Sequence, residues 1–251
     1  LEEIFYFNNK KMPYLCGFWR FANAYEYDGR KGDPILNKRN YQKELDKLIE
    51  NVRKEGRTPR LFLHACCAPC SSYVMEYLSQ YFEITIFFYN PNIAPEEEYA
   101  HRVAEIRRLI GEMEFAHPVS LVEGHYDPKE FYDMAKGLEN VPEGGERCFK
   151  CYRLRMEEAA KIARDGGYDY FTTTLSISPL KNAEKINEIG EELSGIYKVT
   201  HLPSDFKKKN GYKRSIELSH EHELYRQNYC GCVFSKREAQ ERDRQRNAEN
   251  V

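Results

Sequence analysis

Apolar and polar positions alternate along the chain with two distinct periods, and each period predicts its own kind of element. Between Tyr41 and Arg53, Leu45, Leu48, Ile49 and Val52 recur at helical spacing among charges, and Gly56 with Pro59 closes the segment. A surface-packed helix is predicted there. Leu61–Ala65 is a short apolar run suited to a buried strand, followed by Cys66-Cys67-Ala68-Pro69-Cys70-Ser71-Ser72 and a helix through Leu78. The cysteines therefore sit on a strand-to-helix turn. Ile84–Tyr89 predicts a second buried strand ending at Asn90-Pro91-Asn92. Pro95 then begins a helix whose first turn carries Glu96, Glu97 and Glu98, where acidic groups complement the helix dipole.

A strand at Val119–Val122, a helix near Pro128–Lys136 and the turn-rich Val141–Gly145 lead to a helix from Cys148 to Arg164. Asp169–Thr173 reads as a strand, Leu180–Leu193 as a helix and Ile196–Thr200 as a strand. This alternation predicts an α/β fold. Its form is a Rossmann-like open, mostly parallel sheet of about five strands with helices on both faces, plus a polar helical C-terminal region. That region starts near Tyr212 and is interrupted by Cys230-Gly231-Cys232. Residues 1–34 show no period and read as an extension, leaving 35–251 as one α/β domain.

Composition narrows the class. The 251 residues are 41% hydrophobic and 31% charged, a globular balance, and the longest strongly apolar stretch, Ile84–Tyr89, is far below the roughly 18–20 residues of a membrane helix. No secretory pattern opens the chain, so a cytoplasmic protein is expected. The net charge of −2 gives no global basic field, so any nucleic-acid contact must be local. Lys207, Lys208, Lys209, Lys213 and Arg214, around Tyr212, form the candidate strip, suited to phosphates and base stacking or simply to solvent.

The eight cysteines carry the main chemical signal, because seven fall into three tight groups while Cys16 stands alone. Eight in 251 is too sparse for a disulfide scaffold, which points to metal ligation or redox chemistry. No Gly-x-Gly-x-x-Gly or P-loop occupies the first strand-to-helix turn; thiols stand in place of glycines. Cys148-Phe149-Lys150-Cys151 at a helix start places two thiols on one face, where the helix N-terminus favours their deprotonation. Adjacent Cys66 and Cys67 suit a single small ion poorly and a polymetallic cluster better. With Cys148 and Cys151 they match the four thiolates of a 4Fe-4S cluster, with zinc as the alternative metal. Cys230-Gly231-Cys232 suits a labile, redox-active disulfide or a pair of ligands. Cys70 is either a second metal ligand or a small buried residue, and His64 either a core histidine or a participant beside the cluster.

The segments LFLHACCAPCSS (Leu61–Ser72), FYNPN (Phe88–Asn92), ERCFKCYRLR (Glu146–Arg155), FTTTLSISP (Phe171–Pro179) and YCGC (Tyr229–Cys232) together resemble the cobalamin-independent epoxyqueuosine reductase family, QueH. The similarity runs from about Asn37 to about Arg237. It implies reduction of epoxyqueuosine to queuosine at the wobble position of tRNA, the last step of queuosine biosynthesis, by an iron–sulfur enzyme fed by an electron donor. It further implies Cys66, Cys67, Cys148 and Cys151 as cluster ligands and Cys230 with Cys232 as a redox-active disulfide pair. A second, mononuclear iron is implied beside the cluster, with Cys70 at the position of its ligand. Two rivals are a zinc-stabilised tRNA- or nucleotide-binding module and an ATP-dependent tRNA thiolase. The thiolase would need a Ser-Gly-Gly-x-Asp-Ser loop where His64–Ser72 stands.

Overall fold

The structure, a computed structural model, describes residues 39–249. The predicted extension 1–34, with Cys16, lies outside the described residues. The chain begins with α1 (Tyr41–Glu55), capped by the Asn40 side chain, which accepts from the Lys43 N–H at 3.1 Å, and ended by Gly56 in the left-handed region at φ 67°. There follow β1 (Arg60–His64), α2 (Ala68–Leu78), β2 (Glu83–Phe88), α3 (Glu96–Glu112), β3 (Val119–Glu123) and α4 (Pro128–Ala135). After these come α5 (Glu146–Asp165), β4 (Tyr170–Thr173), a 3-10 turn (Thr174–Ile177), α6 (Ala183–Tyr197), β5 (Thr200–His201), α7 (Gly211–Glu221) and α8 (Val233–Glu249).

All five strands are parallel, in the order β3-β2-β1-β4-β5. The chain winds outward from β1 to β3, then returns past β1 to lay down β4 and β5 on its other side. The point where the winding reverses lies between β1 and β4, where Leu61 faces Tyr170 and His64 faces Thr173. In open α/β sheets this is where ligands bind, beyond the carboxyl ends of the strands.

The strand period of two sorts β1 onto two cores. Leu61 and Leu63 pack with Val74, Met75 and Leu78 of α2 and with Val103, Ile106 and Leu109 of α3. Phe62 points the other way, against Phe87, Phe171 and Met156, Ala159 and Ala160 of α5. Burying each of these leucines and phenylalanines contributes roughly 1.5–3 kcal/mol. With both faces covered, β1 has no solvated side, which is why it reads as an unbroken apolar run.

Helix α6 and the last strand depart from expectation. Helix α6 starts at Ala183, where the Asn182 side chain accepts from the Lys185 N–H at 3.0 Å, and runs on to Tyr197. Ile196, expected in a strand, is a helix residue 52% exposed, and β5 is reduced to Thr200–His201. Lys198, in the left-handed region at φ 59°, ends the helix with its N–H on the Ser194 carbonyl. An isolated apolar Ile-Tyr pair could not by itself outweigh a helix already propagating from a good cap. No helix of the described residues is long and apolar enough to cross a membrane.

Candidate metal and thiol site

Strand β1 delivers Cys66 and Cys67 to the reversal point. The sheet pairing continues one residue past β1, the Ala65 N–H donating to the Phe87 carbonyl at 2.9 Å, and the Asn90 side-chain amide donates to the Ala65 carbonyl at 2.8 Å. The backbone is thus pinned up to the first thiol. Cys67 is extended (φ −172°, ψ 163°) and Pro69 opens α2, which turns the chain sharply into the helix.

The corner brings together three sulfurs: Cys66 and Cys67 Sγ stand 3.9 Å apart, and with Cys70 Sγ all lie within 4.8 Å of one another. Among the described residues this is the one group of three or more potential ligand atoms so close together. A tetrahedral ion with metal–sulfur bonds of about 2.3 Å sets its thiolates about 3.8 Å apart. Adjacent Cys66 and Cys67, expected to suit a single small ion poorly, come this close because the strand-to-helix corner folds both sulfurs to one side. Cys70, three residues on at the first turn of the helix, joins them.

The three thiols differ in acidity because they hydrogen-bond to one another. Hydrogen bonds from Cys67 and Cys70 hold the Cys66 thiol well below its ordinary range, helped by Lys181 and Arg155. The same bonds push Cys67 up to about 11 and Cys70 well upward, with burial adding to both. A soft thiol set of this kind suits metal.

Cys148 and Cys151 occupy the first turns of α5. The Gly144 N–H donates to Cys148 Sγ at 3.3 Å, yet burial raises the Cys148 thiol and pushes Cys151 up to about 12. The predicted deprotonation by the helix N-terminus is overturned, because desolvation of a buried thiolate exceeds what the helix end supplies. A metal held at these sulfurs would have to displace their protons.

Cys230 and Cys232 are both free thiols in the structure. Gly231 between them has φ 123°, its carbonyl accepts from the Ala94 N–H at 3.1 Å, and an added Cβ would lie 2.9 Å from Ile93. Cys232 stands at the start of α8, where its Sγ accepts from the Ser235 N–H at 3.3 Å; burial, then Cys230, raises its thiol.

Two adjoining cavities gather all seven described cysteines. The larger, of about 360 Å³, is bordered by Cys66, Cys67, Cys70 and Cys230 and, towards its rim, by Tyr212 and Tyr229. The smaller is bordered by Cys148, Cys151, Cys230 and Cys232. Cys230, Glu143 and Lys181 border both. Burial opposes the charge of Lys181, but the sulfurs of Cys230, Cys66 and Cys70 outweigh it and raise its pKa.

The other candidates have definite places. His64 is buried and satisfied: its Nε2 donates to the Tyr89 carbonyl at 3.1 Å, which leaves Nδ1 to accept from the Thr173 hydroxyl at 2.8 Å. Burial, then Arg155, lowers it to about 3, so it is a neutral clamp across β1, β2 and β4. In the basic strip, Lys207 pairs with Asp205, Lys209 with Asp46, Lys213 with Glu217, and Arg214 with Glu76 and Glu221. Among the described residues, Lys208 alone of the five has no carboxylate partner. Sequence reasoning missed Arg155 and Lys181. Arg155 follows Cys151 by four positions and so shares its helix face, a signal present in the spacing.

Parallel winding that reverses beside a buried thiol centre suited to metal defines a Rossmann-like α/β protein with a cysteine-built site. A family model described as Epoxyqueuosine reductase QueH matches residues 61–238. Proteins named Epoxyqueuosine reductase QueH share this similarity. The one from Staphylococcus epidermidis is 46% identical over 200 residues, 78% of this chain and 84% of the relative. That from Streptococcus pyogenes is 41% identical over 198 residues, 78% of each chain. That from Thermotoga maritima is 35% identical over 188 residues, 72% of this chain and 93% of the relative. The chain belongs to the epoxyqueuosine reductase QueH family.

Proposed function

We propose that this chain is a cytoplasmic oxidoreductase that reduces epoxyqueuosine to queuosine at the wobble position of tRNA. The observation that carries the reading is the convergence of seven cysteines on two adjoining cavities at the sheet's reversal point, in a member of the QueH family. Cys66, Cys67, Cys148 and Cys151 would hold a 4Fe-4S cluster, and Cys70, grouped with the first two, would serve a second iron. The all-thiol donor set fits such a centre, and thiols on the walls of two cavities suit a group wider than one ion. When bound, the iron–sulfur group supplies single electrons and a Lewis-acidic iron.

The chain's own residues account for the rest. Removing an epoxide oxygen as water, leaving an alkene, consumes two electrons and two protons. Oxidation of the Cys230 and Cys232 dithiol to a disulfide releases the same two electrons and two protons, and an external donor then restores the dithiol. Lys181 Nζ, held protonated on the wall shared by the cavities, places a positive charge where the departing oxygen becomes basic. The 360 Å³ cavity is large enough for a splayed-out nucleotide base, and Tyr212 and Tyr229 offer it stacking surfaces. Lys208 is the strip's cation available to a phosphate.

The 3.9 Å separation of Cys66 and Cys67 favours one other reading, a zinc ion stabilising a tRNA-binding module without redox activity. Anaerobic purification followed by iron, sulfide and zinc analysis, electron paramagnetic resonance and turnover on epoxyqueuosine-containing tRNA separates the two. Matched iron and sulfide with turnover supports the reductase. A colourless, zinc-loaded, inactive protein overturns it.

A further inference from the structure

Three arginines are buried to 1% exposure in this fold, and two of them have the counterion that burial demands. Arg102 holds Glu98 at 2.6 Å and Arg147 holds Glu238 at 3.1 Å. Arg155 has none: among the described residues no carboxylate pairs with it. Its Nε donates to the Cys151 carbonyl at 3.1 Å and its Nη1 to Asn90 Oδ1 at 3.3 Å, both neutral acceptors, while its Nη2 is buried without a hydrogen-bond partner. Taking a cation out of water without an anion is costly, so a buried guanidinium in this state is retained for something that supplies the negative charge.

Its surroundings identify that anion. Arg155 borders the smaller cavity together with Cys148, Cys151, Cys230 and Cys232. Burial works against its charge, and the sulfurs of Cys151, Cys230 and Cys66 work for it. These sulfurs come from all three cysteine groups. Neutral thiols offer a guanidinium little, whereas thiolates gathered on metal offer it concentrated negative charge, which grows by one unit when such a centre takes up an electron.

We propose that Arg155 is the built-in counter-charge of the thiolate-held centre, the fixed cation that offsets its negative charge and raises the potential at which it accepts an electron. It acts through the centre, as a positioning and electrostatic residue. The inference rests on the iron–sulfur reading above and adds to it a residue that sets how easily the centre is reduced.

The test uses the anaerobically reconstituted holoprotein, titrated with dithionite in the presence of mediators, one electron from dithionite entering the centre and read by visible absorbance and electron paramagnetic resonance. Arg155→Gln removes the charge, Arg155→Lys keeps it, and Asn90→Asp gives the guanidinium the missing carboxylate while giving up the amide's bond to the Ala65 carbonyl. Arg155→Gln and Asn90→Asp should each make reduction at least tenfold less favourable, a midpoint more negative by about 59 mV or more for a one-electron couple. Arg155→Lys should stay within that interval of the wild type. If Arg155→Gln loses its iron, Asn90→Asp decides. Wild-type midpoints in the two charge-altering variants, at full iron content, overturn the role of Arg155, as does an equal shift in Arg155→Lys and Arg155→Gln. A wild-type protein that holds no iron and sulfide overturns the cofactor reading itself, and the counter-charge with it.

Discussion

Arg102, buried in α3, donates from Nη1 to the backbone carbonyl of Cys230 at 3.1 Å, and so fastens the loop before α8 to a helix 128 positions earlier in the chain. The same guanidinium lies 5.5 Å from the Tyr229 ring and is held by Glu98. The Cys-Gly-Cys loop is thus a positioned element and not a free tail, and its glycine is where it touches α3's approach.

Gly231→Ala should destabilise the protein and loosen the loop. Its φ of 123° is forbidden to a Cβ, and that Cβ would meet Ile93 at 2.9 Å and Arg102 Nη1 at 3.1 Å. Strain of this kind costs on the order of 1–3 kcal/mol. A lower melting temperature and faster alkylation of Cys230 are the expected results, and unchanged values in both would mean that the loop accommodates the methyl group.

Cys66→Ser and Cys148→Ser should each lower iron content and visible absorbance together, since thiolate ligation sustains an iron–sulfur centre. The two residues lie on different elements, β1's end and α5, so losing the metal should also lower the melting temperature. Full iron in Cys148→Ser removes α5 from the ligand set.

Cys230→Ser and Cys232→Ser should abolish multiple turnover on epoxyqueuosine-containing tRNA while keeping iron and fold. Thiol counting on oxidised and reduced protein should differ by two if these residues relay electrons as a disulfide. Loss of iron in either variant makes them ligands instead.

The basic strip should divide. Replacing Lys207, Lys208, Lys209 and Arg214 together by Ala should weaken tRNA binding and flatten its salt dependence, but Lys208→Ala alone should account for about one unit of the salt slope. Arg214→Ala should act mainly on stability, because it strands Glu76 and Glu221. A salt slope unmoved by Lys208→Ala takes this segment out of the tRNA site.

Acid should destabilise the fold through its buried histidines. His201 is buried beside Phe171, both its ring nitrogens lack a partner among the described residues, and burial, then Arg39, lowers it to about 3. It protonates in the unfolded chain near pH 6.5 and stays neutral when folded, so below that pH the unfolded state binds the extra proton and stability falls, by up to about 1.4 kcal/mol per pH unit. His201→Phe replaces the orphaned nitrogens by carbon. Denaturant unfolding at pH 7.5 and 5 should show a smaller acid loss in that variant, with His64 still contributing its own. An identical loss would exclude His201 as a source.

The features legible in the sequence are those whose cause is local. Strand and helix periods around Leu61–Leu78 follow from residues a few positions apart, and Cys-x-x-Cys spacing alone puts Cys148 and Cys151 on one face. Arg155 was also within reach of that reading, four residues beyond Cys151. Features that depend on distance through space emerge when the chain is packed. Packing set Cys70 beside Cys66 and Cys67 at the strand-to-helix corner and gathered three cysteine groups from β1, α5 and the Arg102-held loop onto two cavities. It paired two residues of the basic strip, Lys209 and Arg214, with carboxylates remote in sequence, Asp46 and Glu76. Burial reversed the expected ionisation of Cys148 and Cys151, because desolvation is a property of everything packed around a thiol and is written at no single position of the chain.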